Sequence, residues 1–309
     1  MATERTATEW ALFATLVVLW GSAFLMIKLT VDTIPPLTAV AFRLILALAV
    51  LYPAMRFSGQ KLPPLFTLNA DTQHIARRQW IYLALVGITG NALPFSLIMW
   101  GQTEIDSSLA GIFIAFAPLT TLVLAHFFLP GETMNKAKAL GFGLGFLGIV
   151  VLLGPGMVNQ FDKSNDLFHQ LAVFGGALSY GVSIVMARKM PVLHPMSAGT
   201  GLTLVAMLLM IPLAIFFERP WSVEPSGLSL LMLCLLGVFS TGIANVLFFF
   251  LINSAGATFV SLSNYLLPMW AVLMGAIFLS ERLSFNTLAA LTLILMGVGL
   301  SQLRATTKT

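Results

Sequence analysis

Ten apolar stretches, each about as long as a membrane is thick, leave this chain almost no choice of solvent. They fall near residues 9–28, 36–55, 79–100, 107–129, 137–154, 168–187, 197–217, 227–250, 257–279 and 286–303. A helix needs about 20 apolar residues to cross ~30 Å of hydrocarbon, and in that medium every backbone N–H and C=O must be satisfied internally. With 58% hydrophobic and 9% charged residues, the chain lacks the polar surface that would cover a soluble globule. The sequence therefore predicts an all-α membrane protein of ten transmembrane helices. A secretory signal peptide is the rival reading of the first stretch, which Arg5 precedes; its removal would leave four spans facing five.

The same punctuation occurs twice. Pro118, Glu132 and Gly148 return as Pro268, Glu281 and Gly297, 149 to 150 residues later. In each set the proline interrupts an apolar run, the glutamate follows it, and the glycine sits in the next. Identity between the copies is low: aligning 87–129 with 237–279 pairs Gly87/Gly237, Leu97/Leu247, Pro118/Pro268, Phe128/Phe278 and Leu129/Leu279 only. Spacing and helix order carry the duplication. We expect a first five-helix repeat at 1–155, a linker at 156–166 behind Gly154, Pro155 and Gly156, and a second repeat at 167–309. The polar stretch 56–79, with Pro63 and Pro64, reads as a loop.

Charge orients the chain. Eleven basic residues fall at the amino terminus, in alternate loops and in the carboxyl tail: Arg5, Arg56, Lys61, Arg77, Arg78, Lys136, Lys138, Arg188, Lys189, Arg304 and Lys308. The opposite loops hold only Lys28, Lys163, Arg219 and Arg282. Both termini are predicted to be cytoplasmic. Five helices per copy is an odd number, so the second copy enters from the opposite face and the duplication is inverted. Inverted repeats place related half-sites about an axis in the membrane plane, where rocking exposes a central cavity to each face in turn.

The order of marks is that of a known family. Helix 1 carries Trp20, Gly21, Ser22 and Lys28, helix 2 has Phe42 and Arg43, and Pro118, Glu132 and Gly148 follow; the second half answers loosely with Tyr180, Gly181, Arg188, Pro195, Pro268, Glu281 and Gly297. The chain resembles, over nearly its whole length, the EamA-type family of the drug/metabolite transporter superfamily, which includes bacterial amino acid exporters. The resemblance implies two inverted five-helix repeats around a central cavity between helices 1–4 and 6–9, with helices 5 and 10 peripheral and available for a homodimer. It also implies a bacterial cytoplasmic (inner) membrane location and a small-molecule substrate. The second half departs from the first: Tyr180 stands for the tryptophan, and Thr203 or its neighbours stand where Arg43 would repeat.

Polar side chains inside spans are costly unless they face a bundle interior. The cavity candidates are Trp20, Ser22, Asn91, Ser96, Trp100, Tyr180, Ser183, Thr241, Asn245, Ser261, Asn264 and Tyr265. Thr241 and Asn245 are four apart, as are Ser261 and Tyr265, so each pair shares a helix face. Serines, threonines and asparagines also glue membrane helices together, which is the plainer reading of any one of them. The aromatic residues, with 24 Phe and 15 Met, suit a deformable cavity for amino acids with large side chains, although Trp and Tyr near span ends also anchor helices at the interface.

Three residues read as hinge or gate: Arg43, Pro118 and Pro268. Arg43 would pair with Asp106 or Asp32 or act on a carboxylate; the prolines would free carbonyls near Ile114 and Asn264 and permit kinks. Glu132 and Glu281 read as caps or interface partners, and His126 and His169 as packing residues. The lone Cys234 forms no intramolecular disulfide, the basic residues form no nucleic-acid patch, and no pattern calls for a metal or cofactor. No HExxH or paired intramembrane aspartate supports an enzyme. The function read from the chain is export of amino acids, aromatic ones included, by alternating access. A drug or nucleotide-sugar carrier is the alternative, and an intramembrane enzyme a remote one.

Overall fold

A computed structural model describes residues 6–66, 68–159 and 164–302. Among them there are helices and no strands. In chain order they are α1 (Ala7–Val31), α2 (Pro36–Phe57), α3 (Ala70–Gly101), α4 (Ser107–Phe128), α5 (Lys136–Asn159), α6 (Ser164–Lys189), α7 (Pro195–Glu218), α8 (Gly227–Ala255), α9 (Ser263–Phe278) and α10 (Phe285–Gln302). Nine of these are long and apolar enough to cross a membrane. The tenth, α9, has 16 residues. Its expected opening turn is split off as Ala257–Val260, separated by a break at Ser261 and Leu262.

One boundary differs from expectation. The stretch read as a loop is helical from Ala70, because Asn69 caps the helix by accepting from the Asp71 and Thr72 amides and Asp71 favours its positive end. This polar first turn is invisible to a search for apolar runs. At the expected linker, α5 continues past Gly154, Pro155 and Gly156 to Asn159 and α6 starts at Ser164. Residues 160–163, Lys163 among them, lie outside the described residues, as do Arg5, Arg304 and Lys308.

Adding five to each helix number maps the packing onto itself. The contact of α3 with α6 matches that of α8 with α1, α4 with α6 matches α9 with α1, and α2 with α8 matches α7 with α3. The pairs α2 with α7, α4 with α9 and α5 with α10 map onto themselves. Glycines permit the closest approaches, since lipid provides no hydrophobic drive and helices must gain contact by nearness. A Cβ on Gly297 of α10 would run into the backbone of Gly141 and Gly145 of α5. Likewise a Cβ on Gly87 would strike the Leu202 carbonyl of α7, and one on Gly237 would meet Leu46 and the Arg43 carbonyl of α2.

Both α3 and α8 widen to a π-helix at matching depth, over Ile88–Ala92 and Leu236–Ile243. In α3 the cause is Pro94, which has no N–H to donate to the carbonyl one turn back and would clash with it. In α8 the Thr241 hydroxyl donates to the Leu236 carbonyl, five residues back, at 2.9 Å.

Candidate functional site

Arg43 is the one basic residue deep in a span, and it is 6% exposed. Alanines and short aliphatic side chains around it (Ala39, Val40, Leu44 and Ala47, all buried) leave room for the guanidinium to lie between helices rather than extend past them. Its Nε donates to Thr241 Oγ1 at 2.8 Å. Its Cζ lies 3.7 Å from the centre of the Phe95 ring, a cation–π contact, and its charge interacts with the half-buried Tyr180. Four helices, α2, α3, α6 and α8, and both halves therefore meet at this charge.

The partners expected for Arg43 are not the ones it has. No carboxylate among the described residues lies within ion-pair distance of it, whereas Asp106 lies beside Glu281 and Lys28 at one end of the bundle. Burial, then the Glu281 carboxylate, raise the Asp106 carboxyl above its ordinary value, with Lys28 opposing. Helix-face reasoning could not place Arg43, because its acceptor lies 198 residues away. Burying an unpaired ion costs several kcal/mol, and a cation–π contact returns only about 2 kcal/mol of that when desolvated.

A second contact answers the first. Asn91 Nδ2 in the α3 π-turn donates to Thr203 Oγ1 of α7 at 3.4 Å, and Thr203 donates to the Gly199 carbonyl at 2.8 Å. Asn91 is 150 residues before Thr241, and Thr203 is among the residues expected to stand where Arg43 would repeat. In both copies a threonine hydroxyl gives its proton to its own helix and accepts from the helix opposite. Only one of the two donors is charged.

The other candidates separate into groups. Ser22 accepts from Trp270 Nε1 at 2.9 Å, joining α1 to α9, and Trp20 packs on Phe248 of α8 with ring centres 5.3 Å apart. Trp270, one of the aromatic residues expected to suit a cavity, and Phe248 complete this cluster; Phe248 is one of 24 phenylalanines, and nothing in the sequence marks it out. Asn245 turns back to donate to the Thr241 carbonyl at 2.7 Å, steadying the π-turn. Ser183 of α6 faces Gly90 in the other π-turn. Ser96 bonds its own helix at Ala92 and touches Met210 Sδ, Ser261 lies in the break before α9, and Asn264 follows it on the first turn.

Two residues lie away from the seam. Trp100 is 44% exposed and packs against His169 near the ends of α3 and α6. Tyr265 lies toward Gly299 of α10. Two shallow surface grooves lie elsewhere: one around Phe216 and Trp221, at the end of α7 and the turn after it, and one around Tyr52 and Met207, between α2 and α7.

The prolines are not equivalent in place. Pro118 sits in the first turn that follows a break at Ala115 and Phe116, while Pro268 lies inside α9, past its break at Ser261 and Leu262. Both breaks tighten to i→i+3 hydrogen bonds, such as Phe116 to Phe113 and Leu262 to Phe259.

Polar contacts are unequal at the two ends. Where α4 begins, Glu281 accepts from the Ser107 amide and hydroxyl at 2.8 Å each, from the Ser108 amide at 3.0 Å, and from the Ser108 hydroxyl. Glu218 accepts from the Leu37 and Thr38 amides at the start of α2. Lys28 donates to the Gln102 and Ile105 carbonyls, and Ser229 to that of Leu29. Helix amides and carboxylates satisfy each other here, and the tie runs between halves. At the other end Glu132, which matches Glu281, binds Arg188 Nη1 at 2.7 Å and Lys138 Nζ at 3.7 Å instead. His126 accepts there from the Met134 amide.

Comparison with known proteins agrees with this architecture. The chain is 26% identical over 284 residues to the uncharacterized transporter YoaV of Bacillus subtilis, covering 91% of each. It is 26% identical over 289 residues to the uncharacterized inner membrane transporter YedA of Escherichia coli K12, covering 93% of this chain and 88% of that one. A crystal structure that is 21% identical superimposes with a TM-score of 0.65 over 96% of this chain and 97% of its own, which establishes likeness of fold. The profile of the EamA-like transporter family matches twice, at residues 8–154 and 167–302. With a profile match in each half of a multi-pass helical bundle, this chain belongs to the EamA-like transporter family.

Proposed function

We propose that the protein exports amino acids, aromatic ones among them, across a bacterial cytoplasmic membrane by alternating access. The observation that carries this reading is a pair of clusters, each drawn from both halves: Trp20, Ser22 and Trp270 on α1 and α9, and Arg43 and Tyr180 on α2 and α6, beside broken or widened helices. Aromatic faces and small hydroxyls suit an amphipathic solute with a large side chain. Family membership supports the transport part.

In this reading the two five-helix copies are inverted, both termini are cytoplasmic, and the end tied by Glu281, Glu218 and Lys28 is the outer one. The conformation is then closed to the outside. Opening it means parting α4 from the Glu281 loop and letting the halves rock about the breaks in α4 and α9.

Counterflow in proteoliposomes, with a panel of amino acids, nucleotide sugars and cationic drugs, tests the reading. Exchange of aromatic and other amino acids is the expected outcome. Exchange of drugs or nucleotide sugars alone would replace it with a different carrier of the same superfamily.

A further inference from the structure

We propose that Arg43 is the carboxylate anchor of the transport site and that the substrate must bring one monoanionic carboxylate to it. This deepens the reading above and rests on it for the location of the site.

Arg43 is nine-tenths buried among α2, α3, α6 and α8, and of its five N–H donors one, on Nε, is taken by Thr241. The Nη groups have no acceptor among the described residues, and the charge has no counter-ion there. A guanidinium does not lose its proton to escape such a place, and with no carboxylate among the described residues beside it, an anionic group of the substrate fits there. Thr241 and Phe95 fix the plane of the group from two sides, leaving the Nη fork preset for two parallel bonds to a carboxylate.

The surroundings select the class of anion. Phe95 and Tyr180 border the charge, and one unit of negative charge neutralises it. A phosphate dianion would leave an excess negative charge against those rings. The matching place in the other half offers Thr203 and Asn91, a neutral pair. A ligand bridging the two half-sites is therefore charged at the Arg43 end and uncharged at the other.

The test uses the full chain in lipid nanodiscs or proteoliposomes. Binding and inhibition of exchange are compared for phenylalanine, phenylalaninamide, phenethylamine and 3-phenylpropionate, and for alanine with alaninamide. The wild-type protein should favour each carboxylate over its amide or amine by at least tenfold, a comparison that needs no variant. Arg43→Gln should erase the preference and Arg43→Lys should restore part of it, while the melting temperature confirms that each variant is folded. Phenylpropionate binding that depends on Arg43, with no exchange of any amino acid, would keep this site and discard the amino acid reading. Amino acid exchange with amides bound as well as acids, or with the acid preference intact in Arg43→Gln, would keep that reading and overturn the anchor. A wild-type protein indifferent to every carboxylate in the panel overturns it as well.

Discussion

Arg43 Nε and Thr241 Oγ1 are joined at 2.8 Å across the two halves, and their repeat-related partners Thr203 and Asn91 are joined at 3.4 Å. The same contact is thus made twice, once with a charged donor and once with a neutral one. A hydrogen bond from a charged group is worth about 1.5–3 kcal/mol and a neutral one about 0.5–1.5 kcal/mol. Thr241→Val is expected to lower the melting temperature of the purified protein more than Thr203→Val, with Thr241→Ser near wild type. An equal or reversed ranking would remove the special role of the Arg43 contact.

Glu281 satisfies the first two amides of α4 and both serine hydroxyls there. Losing a cap of this kind costs about 1–2 kcal/mol. Glu281→Gln should loosen that end of the bundle. With exposed Cys234 replaced by alanine, a cysteine introduced at the buried Ile105 should then react severalfold faster with a membrane-impermeant thiol reagent. Glu132→Gln should leave the rate unchanged, because its contacts are at the opposite end and half exposed.

Gly297 and Gly143 separate packing from mere flexibility. A side chain at Gly297 collides with the α5 backbone, whereas nothing lies within 4 Å of a Cβ at Gly143. Gly297→Leu should reduce the yield of folded protein sharply, since overpacking that only backbone movement can relieve costs about 1–3 kcal/mol or more. Gly143→Leu should be tolerated. Equal yields of the two would contradict the α5–α10 contact.

Asp106 gives a pH signature. Its carboxyl is raised above its ordinary value by burial and by Glu281, so between the unfolded and folded values the folded protein holds more protons than the unfolded chain. Stability contributed by this group falls as pH rises through that window, and it is greatest below it. Asp106→Asn should flatten the dependence of melting temperature on pH above about 4. A steeper dependence in the variant would reverse the assignment.

Much of the bundle was legible in the chain. The apolar runs located the spans to within a few residues, apart from the polar first turn of α3, where Asn69 supplies a cap that hydropathy cannot register. The run at 257–279 is helical but broken at Ser261 and Leu262, soon after Gly256, whose φ of +84° ends α8. The spacing of Pro118 and Pro268 revealed the copies without showing that their breaks fall at different points. Polar residues within spans marked the seam, yet Trp100 and Tyr265 share that polarity and face elsewhere.

The sequence alone determined the solvent, the helices, the duplication and the family, because each depends on composition, local periodicity or spacing along one strand of chain. Tertiary structure decided who meets whom: Arg43 with Thr241, Glu281 with Ser107 and Ser108, Trp270 with Ser22. Those partners are 173 to 248 residues apart. A helix face tells which side chains point together, but which neighbouring helix they meet is set by small residues that let particular backbones approach. Only packing the whole bundle shows that no carboxylate among the described residues pairs with Arg43.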